Sequence, residues 1–300
     1  MKKVSIIIVT YNSEHDIYDC VNSIRRYADI PLSEIELVIV DNGSHGVDSM
    51  FECLRSLWGE DLVLLKNTHN GGYGQGNNVG IRNSTAPLIL IMNPDVRLAS
   101  HFFAKPLKAF ESDAGLCMYG VKQMLTETME SHYSFMCTYM MNGYLRTLIQ
   151  ALCNRLEWYM PRWQYFSGSC FFVRRSMFEE VGLFDESVFM YGEEDDIHWR
   201  LMHRWGPHFR YDKSMRYVHL TSERQPDADY EMKFLHVAMK QNEKKGYSRD
   251  KTVRQFLRIY RVLYWVESVK VLAGHADDRK MMLKEMLNRI EHIKRKEMGL

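Results

Sequence analysis

Three short apolar runs, each followed at once by a polar cluster, place the strongest constraint on the fold of this chain. The runs are residues 4–9, 35–40 and 88–92, and their polar tails are Thr10-Tyr11-Asn12, Asp41-Asn42-Gly43-Ser44 and Asn93-Pro94-Asp95. Short β-branched runs bounded by turn residues are typical of strands buried on both faces of a parallel sheet. Because ligands of open α/β sheets lie beyond the carboxyl ends of the strands, the three tails predict one binding site.

The spacing of apolar and turn residues predicts an alternation of strands and helices up to about residue 97. Ser13 is expected to cap a helix that runs through about Tyr27. The region 133–166, dense in Met, Tyr, Trp and Leu, is expected to be helical, with a lid as its candidate role. Further helices are expected near 49–58, in 194–204 and from about 229 onward, and further strands at 62–65, 115–123, 168–173, 208–211 and 216–219. This order predicts an α/β fold with a mostly parallel sheet flanked by helices and a C-terminal helical extension.

The composition is that of an ordinary globular protein. Of its residues, 46% are apolar and 26% are charged. A length of 300 residues is enough for a large core. The six cysteines include no C-x-x-C pair, which argues against a zinc site or a disulfide framework and favours a reducing cytoplasm. The N-terminus leads directly into the first strand without a signal peptide, and no apolar stretch reaches about 18 residues. We expect a cytoplasmic protein, peripheral to the inner face of the cell membrane at most.

The turn Asn93-Pro94-Asp95 is the strongest candidate for a metal site. Mg²⁺ and Mn²⁺ take hard oxygen ligands, commonly one or two carboxylates together with substrate phosphates. An aspartate just beyond a buried strand meets that need, although Asp95 could also simply cap the turn. His219, at the end of a short predicted strand, could ligate a metal or contact a phosphate, and a structural role is the alternative.

The glycine-rich segment 70–80 leads into a predicted helix, and the small residues of its run 71–76 would let backbone approach a ligand. It is not a G-x-G-x-x-G fingerprint, because Asn77 and Val79 occupy the positions where a third glycine would be needed. It also lacks the Gly-Lys-Ser/Thr ending of a phosphate-binding P-loop. The segment therefore disfavours a dehydrogenase or a P-loop kinase.

An acidic cluster begins at Asp185-Glu186 and continues with four consecutive acids at 193–196. Acidic residues at a helix N-terminus are stabilised by the helix dipole, which is one explanation. Four in a row exceed what capping requires, and their mutual repulsion raises at least one pKa. Because a carboxylate of raised pKa is a better general base, we expect one of these residues to be catalytic.

Taken together and in this order, these residues resemble the family 2 glycosyltransferases of the GT-A fold, particularly bacterial rhamnosyltransferase-like members. The resemblance covers roughly residues 3–222 and is carried by the segments 4–13, 40–44, 70–80, 93–96, 182–186 and 191–200, and by His219. It implies a catalytic domain over 1–225, in which about 1–97 bind the nucleotide and 98–225 the acceptor. Residues 226–300 would be a helical extension.

The resemblance also implies roles for individual residues. Asp95 matches the last, metal-binding aspartate of the family's Asp-x-Asp motif, and because Asn93 replaces the first, His219 becomes the candidate second ligand of Mg²⁺ or Mn²⁺. Glu194 aligns with the family's general base; Asp195, one residue away, is the alternative. The donor would be bound by Thr10, Tyr11, Asn12, Asp41, Asn42, Gly72, Asn77, Asn78 and Asn93.

The activity implied is an inverting, metal-dependent transfer from a nucleoside-diphosphate sugar to a saccharide or polyprenyl-linked glycan in bacterial surface polysaccharide synthesis. The donor could be dTDP-rhamnose, a UDP-sugar or a GDP-sugar. A sugar nucleotidyltransferase is one alternative, but it would normally carry Arg and Lys in a glycine-rich loop near the N-terminus, and residues 10–16 contain neither. The other alternative, a non-catalytic sugar-nucleotide or glycan-binding module, would not need the acidic cluster.

The C-terminal part of the chain is basic. Residues 244–300 hold 15 lysines and arginines against 7 acidic residues, which suits an anionic membrane face or nucleic acid, with a solvated helical face as the alternative. Nucleic acid is not among the expected partners, and oligomers are left open. Segment 254–272 predicts an amphipathic helix that either contacts the membrane or packs on protein.

Overall fold

The structure is a computed structural model that describes residues 1–59, 61–139, 141–220, 227–274 and 276–297. The chain divides into two compact units. The first comprises Met1–Met136 and Tyr159–Thr221, and the second comprises Cys137–Trp158 and Ser222–Leu300. Residues 137–158 thus belong to the same unit as helices far along the chain. No linker in the sequence indicates this division.

The secondary structure follows the expected alternation in the first half of the chain. Its elements are β1 (Val4–Thr10), α1 (Glu14–Tyr27), β2 (Ile35–Asp41), α2 (Val47–Trp58), β3 (Val63–Lys66), α3 (Tyr73–Arg82), β4 (Leu88–Met92), β5 (Val96–Leu98), α4 (Ala104–Ser112) and β6 (Met118–Met124). The second half contains β7 (Phe135–Cys137), α5 (Gly143–Leu156), β8 (Gln164–Phe166), β9 (Cys170–Arg174), α6 (Arg175–Glu180), α7 (Glu193–Trp205), β10 (Phe209–His219), α8 (Ala228–Lys244), α9 (Arg249–Leu272) and α10 (Asp278–Glu297).

Eight of these strands form one mixed sheet in the order β3-β2-β1-β4-β9-β6-β10-β5. The first four are mutually parallel, as are β6 and β10, whereas β9 runs antiparallel to both of its neighbours and β5 antiparallel to β10. The prediction of an α/β fold with a mostly parallel sheet is confirmed. Because β1, β2 and β4 are parallel neighbours, their polar tails emerge at the same edge of the sheet.

The core explains why these runs form strands. The side chains of β2 and β4 are buried along their whole length, with helices covering the sheet. Helix α3 comes especially close to it, because a Cβ added to Gly76 would lie 2.7 Å from Cγ1 of Val9, and one on Gly80 would lie 2.5 Å from Cγ2 of Ile7. These glycines therefore serve helix-to-sheet packing, and for Gly76 this packing, not the approach of a ligand, accounts for the small residue.

Three other expectations of local structure are corrected. The region 133–166 is helical only in α5, and the two short strands expected at 208–211 and 216–219 form the single strand β10, whose register with β6 shifts between Asp212 and Arg216. Ser13 precedes α1, but its hydroxyl exchanges hydrogen bonds with the backbone of Tyr11 instead of capping the helix. For Ser13, the nearby backbone of Tyr11 competes successfully with the cap that local propensity favours.

The second unit has its own core, built where α8, α9 and α10 pack together, and α5 packs against α9. The predicted helix over 254–272 lies within α9, and its apolar residues Phe256, Leu257 and Tyr260 are buried there. Those side chains are therefore used in protein packing and are not presented to a lipid surface. None of the helices described is long and apolar enough to cross a bilayer.

Candidate active site

Asp95 and His219 lie side by side, although 124 positions separate them in the sequence. Strand β5 pairs antiparallel with the end of β10, so that Val96 lies opposite His219 and the amide of Leu220 donates to the carbonyl of Asp95 at 2.9 Å. This pairing brings Nε2 of His219 to 3.4 Å from Oδ2 of Asp95. The two predicted metal ligands are thus adjacent at the edge where β4 ends.

The carboxylate of Asp95 is not used to cap its own turn. The turn is closed by the backbone, because the amide of Val96 donates to the carbonyl of Asn93 at 3.2 Å. Oδ1 of Asp95 is buried and has no hydrogen-bond partner within the described residues. A buried carboxylate oxygen without a partner, beside a histidine nitrogen, fits the ligand chemistry of a divalent cation.

This pair needs further ligands to complete a coordination sphere. In the portion of the chain that the structure covers, no group of three or more His, Cys, Asp and Glu side chains is arranged to hold a metal. Substrate phosphates are the usual source of the remaining oxygens at Mg²⁺ and Mn²⁺ sites. The arrangement therefore suits a metal that is bound together with its substrate.

The buried carboxylate of Asp41 joins the tails of β1 and β2. It accepts hydrogen bonds from the hydroxyl of Thr10 at 3.1 Å, from the amides of Gly43 and Ser44 at 3.0 and 2.8 Å, and from the hydroxyl of Ser44 at 2.5 Å. The amide of Asn12, a residue with φ of 51°, donates to the same Ser44 hydroxyl at 2.7 Å. Asp41 and Thr10 are consequently buried and hold the backbone of the two tails, whereas Asn12 and the half-exposed Tyr11 lie at the surface of the site.

An open cleft lies beside these tails. It is lined by Asn12, Ser13, Glu14, His15, Ser44, His45 and Met50. The amide of His45 donates to Oδ1 of Asn12 at 3.3 Å, so a hydrogen bond joins two of the residues that line the cleft. The histidines at 15 and 45 were not among the predicted site residues, and nothing in their local sequence distinguishes them from surface histidines.

Three of the predicted donor residues have partners within the protein. Asn42 is buried and bonds to Asn67, at 2.9 Å, and to the carbonyl of Gly72. A Cβ on Gly72 would lie 2.0 Å from the carbonyl oxygen of Phe189. Position 72 therefore requires a glycine, because the backbone at Phe189 passes too close for a side chain. Asn78 is tied to the backbone of Phe184, both as donor and as acceptor. These residues hold the glycine-rich segment in place.

Asn77 differs from them. Its amide nitrogen donates to the carbonyl of Tyr73 at 2.9 Å, while its buried Oδ1 has no hydrogen-bond partner among the residues described. Asn77 is therefore the one predicted donor residue on α3 that keeps a buried polar atom available for a ligand.

The acidic cluster is divided by the fold. Asp185 and Glu186 lie in the loop between α6 and α7, where Asp185 accepts from the amide of Ser187 and Glu186 bonds to Asn78 and Arg82. These two acids therefore lie in a helix-to-helix loop. The four acids at 193–196 form the first turn of α7, which begins after Gly192.

Within that turn, Glu194 is the acid that faces the loop before β9. Its side chain lies so close to Gly168 that an added Cβ there would be 2.0 Å from Oε1 of Glu194. The hydroxyl of Tyr73 donates to the carbonyl of Gly168 at 2.6 Å, and burial together with the charge of Glu194 raises the pKa of Tyr73. Burial raises the pKa of Glu194 itself, and the neighbouring Asp195 adds to the effect.

The other acids of the turn have different surroundings. Burial and the charge of Glu194 raise the pKa of Glu193 to about 8. Asp195 is buried, and Asp196 forms an ion pair with Arg200 at 2.7 Å that lies along α7. Because Asp196 is committed to Arg200, it serves the helix, and the choice of a base remains between Glu194 and Asp195.

Residues 168 and 169 connect the predicted base with the predicted metal pair. Gly168 touches Glu194, while the carbonyl of Ser169 accepts from the amide of Asn93 at 2.8 Å and its hydroxyl bonds to that of Tyr217 at 2.9 Å. Sequence reasoning identified neither these residues nor Tyr73, because a Gly-Ser pair and a lone tyrosine carry no local signal. One turn thus brings Glu194 next to the turn that carries Asp95.

Comparison with known proteins identifies the family of this chain. A family model described as glycosyl transferase family 2 matches residues 5–182. An uncharacterized glycosyltransferase, YfnE of Bacillus subtilis, is 26% identical over 257 residues, covering 72% of this chain and 64% of the relative. A low-salt glycan biosynthesis hexosyltransferase of Haloferax volcanii is 28% identical over 217 residues, covering 66% of this chain and 61% of the relative. The chain therefore spans less than two thirds of the length of these relatives.

Among solved structures, the mannosyltransferase PcManGT from Pyrobaculum calidifontis, in complex with GDP-Man and Mn²⁺, superposes with a TM-score of 0.65. It is 15% identical in sequence, and the match covers 97% of this chain and 86% of that one. At this identity the likeness concerns the fold, which is of the GT-A type.

Proposed function

The chain belongs to glycosyltransferase family 2, and we propose that it transfers a sugar from a nucleoside-diphosphate sugar to an acceptor hydroxyl with inversion, using Mg²⁺ or Mn²⁺. The observation that carries this proposal is the proximity of Asp95 to His219, with Glu194 joined to the same edge through residues 168 and 169. Metal ligands and a base at one strand edge are what a diphosphate leaving group and a hydroxyl nucleophile require.

Asp95 and His219 are the residues that would hold the metal. Oδ1 of Asp95 is buried without a partner in the described chain, and Nε2 of His219 is close enough to share a ligand with the carboxylate. A bound Mg²⁺ or Mn²⁺ would neutralise negative charge on the diphosphate of the donor and of the leaving group. The neighbouring structure that contains GDP-Man and Mn²⁺ supports this assignment by analogy of fold.

The nucleotide would lie along the tails of β1 and β2. Tyr11 and Asn12 are the tail residues that reach the surface, while Thr10 and Asp41 fix the backbone from which they project. On the other side, Asn77 would present Oδ1 to the donor, and the amide of Asn93 is held by Ser169 so that its side chain remains at the strand end. Fixed positions of this kind lower the entropy cost of aligning donor and acceptor.

Glu194 would take the proton from the acceptor hydroxyl as that oxygen attacks the anomeric carbon from the side opposite the nucleoside diphosphate. Bond formation and departure of the leaving group on opposite faces invert the configuration. The raised pKa of Glu194 increases its strength as a base once it is ionised. Asp195 would serve instead if α7 rotated slightly in the complex.

The name of one relative supports our proposal for the acceptor class. One relative acts in glycan biosynthesis, and we extend this to a saccharide or polyprenyl-linked glycan acceptor in bacterial surface polysaccharide synthesis. The donor class is the first property to determine. Thermal shift in the presence of Mn²⁺ with dTDP-rhamnose, UDP-sugars and GDP-sugars should reveal one stabilising donor, because a ligand stabilises in proportion to the logarithm of its concentration over its dissociation constant.

The reaction itself is tested by the release of free nucleoside diphosphate from that donor. We expect release to depend on both Mn²⁺ and an added acceptor, and we expect chelation to abolish it. Nucleoside-diphosphate release that is equally fast after chelation would contradict the metal assignment. Formation of a nucleotide sugar from a sugar phosphate would point to a nucleotidyltransferase.

A further inference from the structure

Helix α5 carries a row of exposed leucines along one side. Leu145, Leu148, Leu152 and Leu156 are 52%, 62%, 53% and 58% exposed. Their spacing of three and four residues places them on one face of the helix, which we name the α5 leucine face. Contiguous exposed apolar surface on a folded protein marks a site of interaction.

The opposite side of α5 is fixed to its own unit. The amide of Gly143 donates to Oε1 of Gln255 at 2.9 Å, and a Cβ on Gly143 would lie 2.7 Å from Cβ of Arg258. Near the other end of the helix, Cys153 and Asn154 are buried. Because the helix start touches α9 without room for a methyl group, α5 cannot rotate to turn its leucines inward.

The charge of this unit indicates what covers the face. Helix α5 contains two arginines and no acidic residue, and Arg155 is exposed beside the leucines. Residues 137–158 and 222–300 together hold 20 lysines and arginines against 13 acidic residues, a net charge of +7. Two copies meeting through this face would bring two units of like charge together, whereas an anionic bilayer would attract both the arginines and the wider unit.

An aromatic residue stands at the end of the same helix. Trp158, which is 60% exposed, follows α5 after a left-handed residue, Glu157. Tryptophan is favoured at the boundary between lipid headgroups and hydrocarbon, where one part of its ring is wet and the other dry. Leucines, an arginine and a tryptophan on the exposed side of one short helix form the pattern of a helix that lies in the plane of a membrane surface.

We propose that the α5 leucine face docks this enzyme on a lipid bilayer that contains anionic lipid. The proposal does not depend on the glycosyl-transfer mechanism, because it concerns a surface on the second unit. The bilayer contact is made by α5, and α9, whose residues Phe256, Leu257 and Tyr260 are buried, supports it from within the unit.

The test is co-sedimentation of the full chain with vesicles of phosphatidylcholine alone and of phosphatidylcholine with phosphatidylglycerol, at low and high salt. We expect the wild-type protein to pellet with the anionic vesicles at low salt and to be released in part by high salt. The variant Leu148→Glu with Leu152→Glu should lose at least tenfold in vesicle affinity. Both positions are exposed, so circular dichroism and thermal melting should match the wild type.

The matched control is Leu32→Glu with Met129→Glu, which adds the same charge at exposed apolar positions of the first unit. This control should pellet like the wild type. If it loses as much binding as the α5 variant, or if the wild type stays in the supernatant with anionic vesicles at low salt, the proposal is overturned. Sedimentation velocity without vesicles provides a further test. A dimer that the α5 variant dissociates would assign the face to a second copy and also overturn it.

Donor hydrolysis separates this inference from the proposed reaction. Release of nucleoside diphosphate to water, measured without vesicles, should be the same for the wild type and the α5 variant. A variant that loses vesicle binding but keeps this release supports the docking surface. Loss of both together would mean that the substitutions disturb the fold, and would overturn it.

Discussion

The carboxylate of Glu194 lies directly over the α-carbon of Gly168, with no room between them for a methyl group. The next residue, Ser169, holds the backbone of Asn93 at the end of β4. The position of the predicted base is therefore tied to the position of the predicted metal ligands by two consecutive residues. This coupling leads to the first prediction.

The variant Gly168→Ala should lower kcat by about tenfold or more while leaving donor affinity close to that of the wild type. The added methyl group would displace the end of the Glu194 side chain, and a misplaced base costs rate rather than binding. Steady-state kinetics together with calorimetric donor titration measure both quantities. Gly115→Ala, where a Cβ would make ordinary contacts of 3.4 Å or more, is the control and should be neutral.

The variant Asp95→Ala should abolish turnover without unfolding the protein. Asp95 supplies the only carboxylate of its turn, and its side chain is partly exposed, so its removal costs little packing. Residual activity above about a tenth of wild type, equivalent to less than about 1.4 kcal/mol of barrier, would contradict the metal assignment. For His219→Ala we expect turnover that recovers partly at higher Mn²⁺ concentration, because one of two protein ligands remains.

The variant Glu194→Gln should lose about 10²–10⁴ in rate with donor binding nearly unchanged, because the amide cannot accept the acceptor's proton. Asp195→Asn is the comparison, and it should retain most of the activity. The opposite result would identify Asp195 as the base. Since burial raises the pKa of Glu194, we also expect the wild-type rate to increase with pH, as the carboxylate ionises above the usual range of a glutamate.

The variant Glu193→Gln should gain thermal stability over the wild type as pH rises. With a folded-state pKa of about 8 against an ordinary value of 4.5, the folded protein keeps a proton that the unfolded chain has lost. The wild type therefore loses stability between about pH 4.5 and 8, whereas the neutral glutamine does not. The difference in Tm, variant minus wild type, should grow by on the order of 5 °C from pH 5 to pH 8.

Glu52→Gln, which removes an exposed carboxylate of α2, is the control for that experiment. Its difference from the wild type should not vary with pH over the same interval. A pH-independent difference for Glu193→Gln as well would mean that Glu193 is ionised in the folded protein at neutral pH.

Local sequence patterns predicted where much of the candidate site would lie. The strand-plus-tail pattern located β1, β2 and β4 and the edge at which Thr10, Asp41 and Asp95 meet, because a buried strand must be apolar throughout and its end must return to polar residues. The alternation of elements likewise predicted the α/β class. Both inferences need only information within a few residues along the chain.

Residue types alone misjudged what several side chains do. Gly72 and Gly76 look like glycines that admit a ligand, yet both are required where other protein atoms pass within 3 Å of a would-be Cβ. Asn78 looks like a donor-binding amide, yet the backbone of Phe184 takes both of its polar groups. A sequence shows that a polar or small residue is present, but the partner that uses it comes from a distant segment of the chain.

The same limit applies to the helices of the second unit. The amphipathic pattern of 254–272 predicted that one side of α9 is apolar, and the structure agrees with that prediction. The pattern does not say which neighbouring helix covers that side. Packing among α5, α8, α9 and α10 buries it and leaves the leucines of α5 uncovered. The sequence by itself thus determined the strands, their polar ends and the amphipathic helices. Only the tertiary structure decided the Asp95–His219 pair, the contact of Glu194 with Gly168 and the exposed face of α5, because each depends on contacts between segments far apart in the chain.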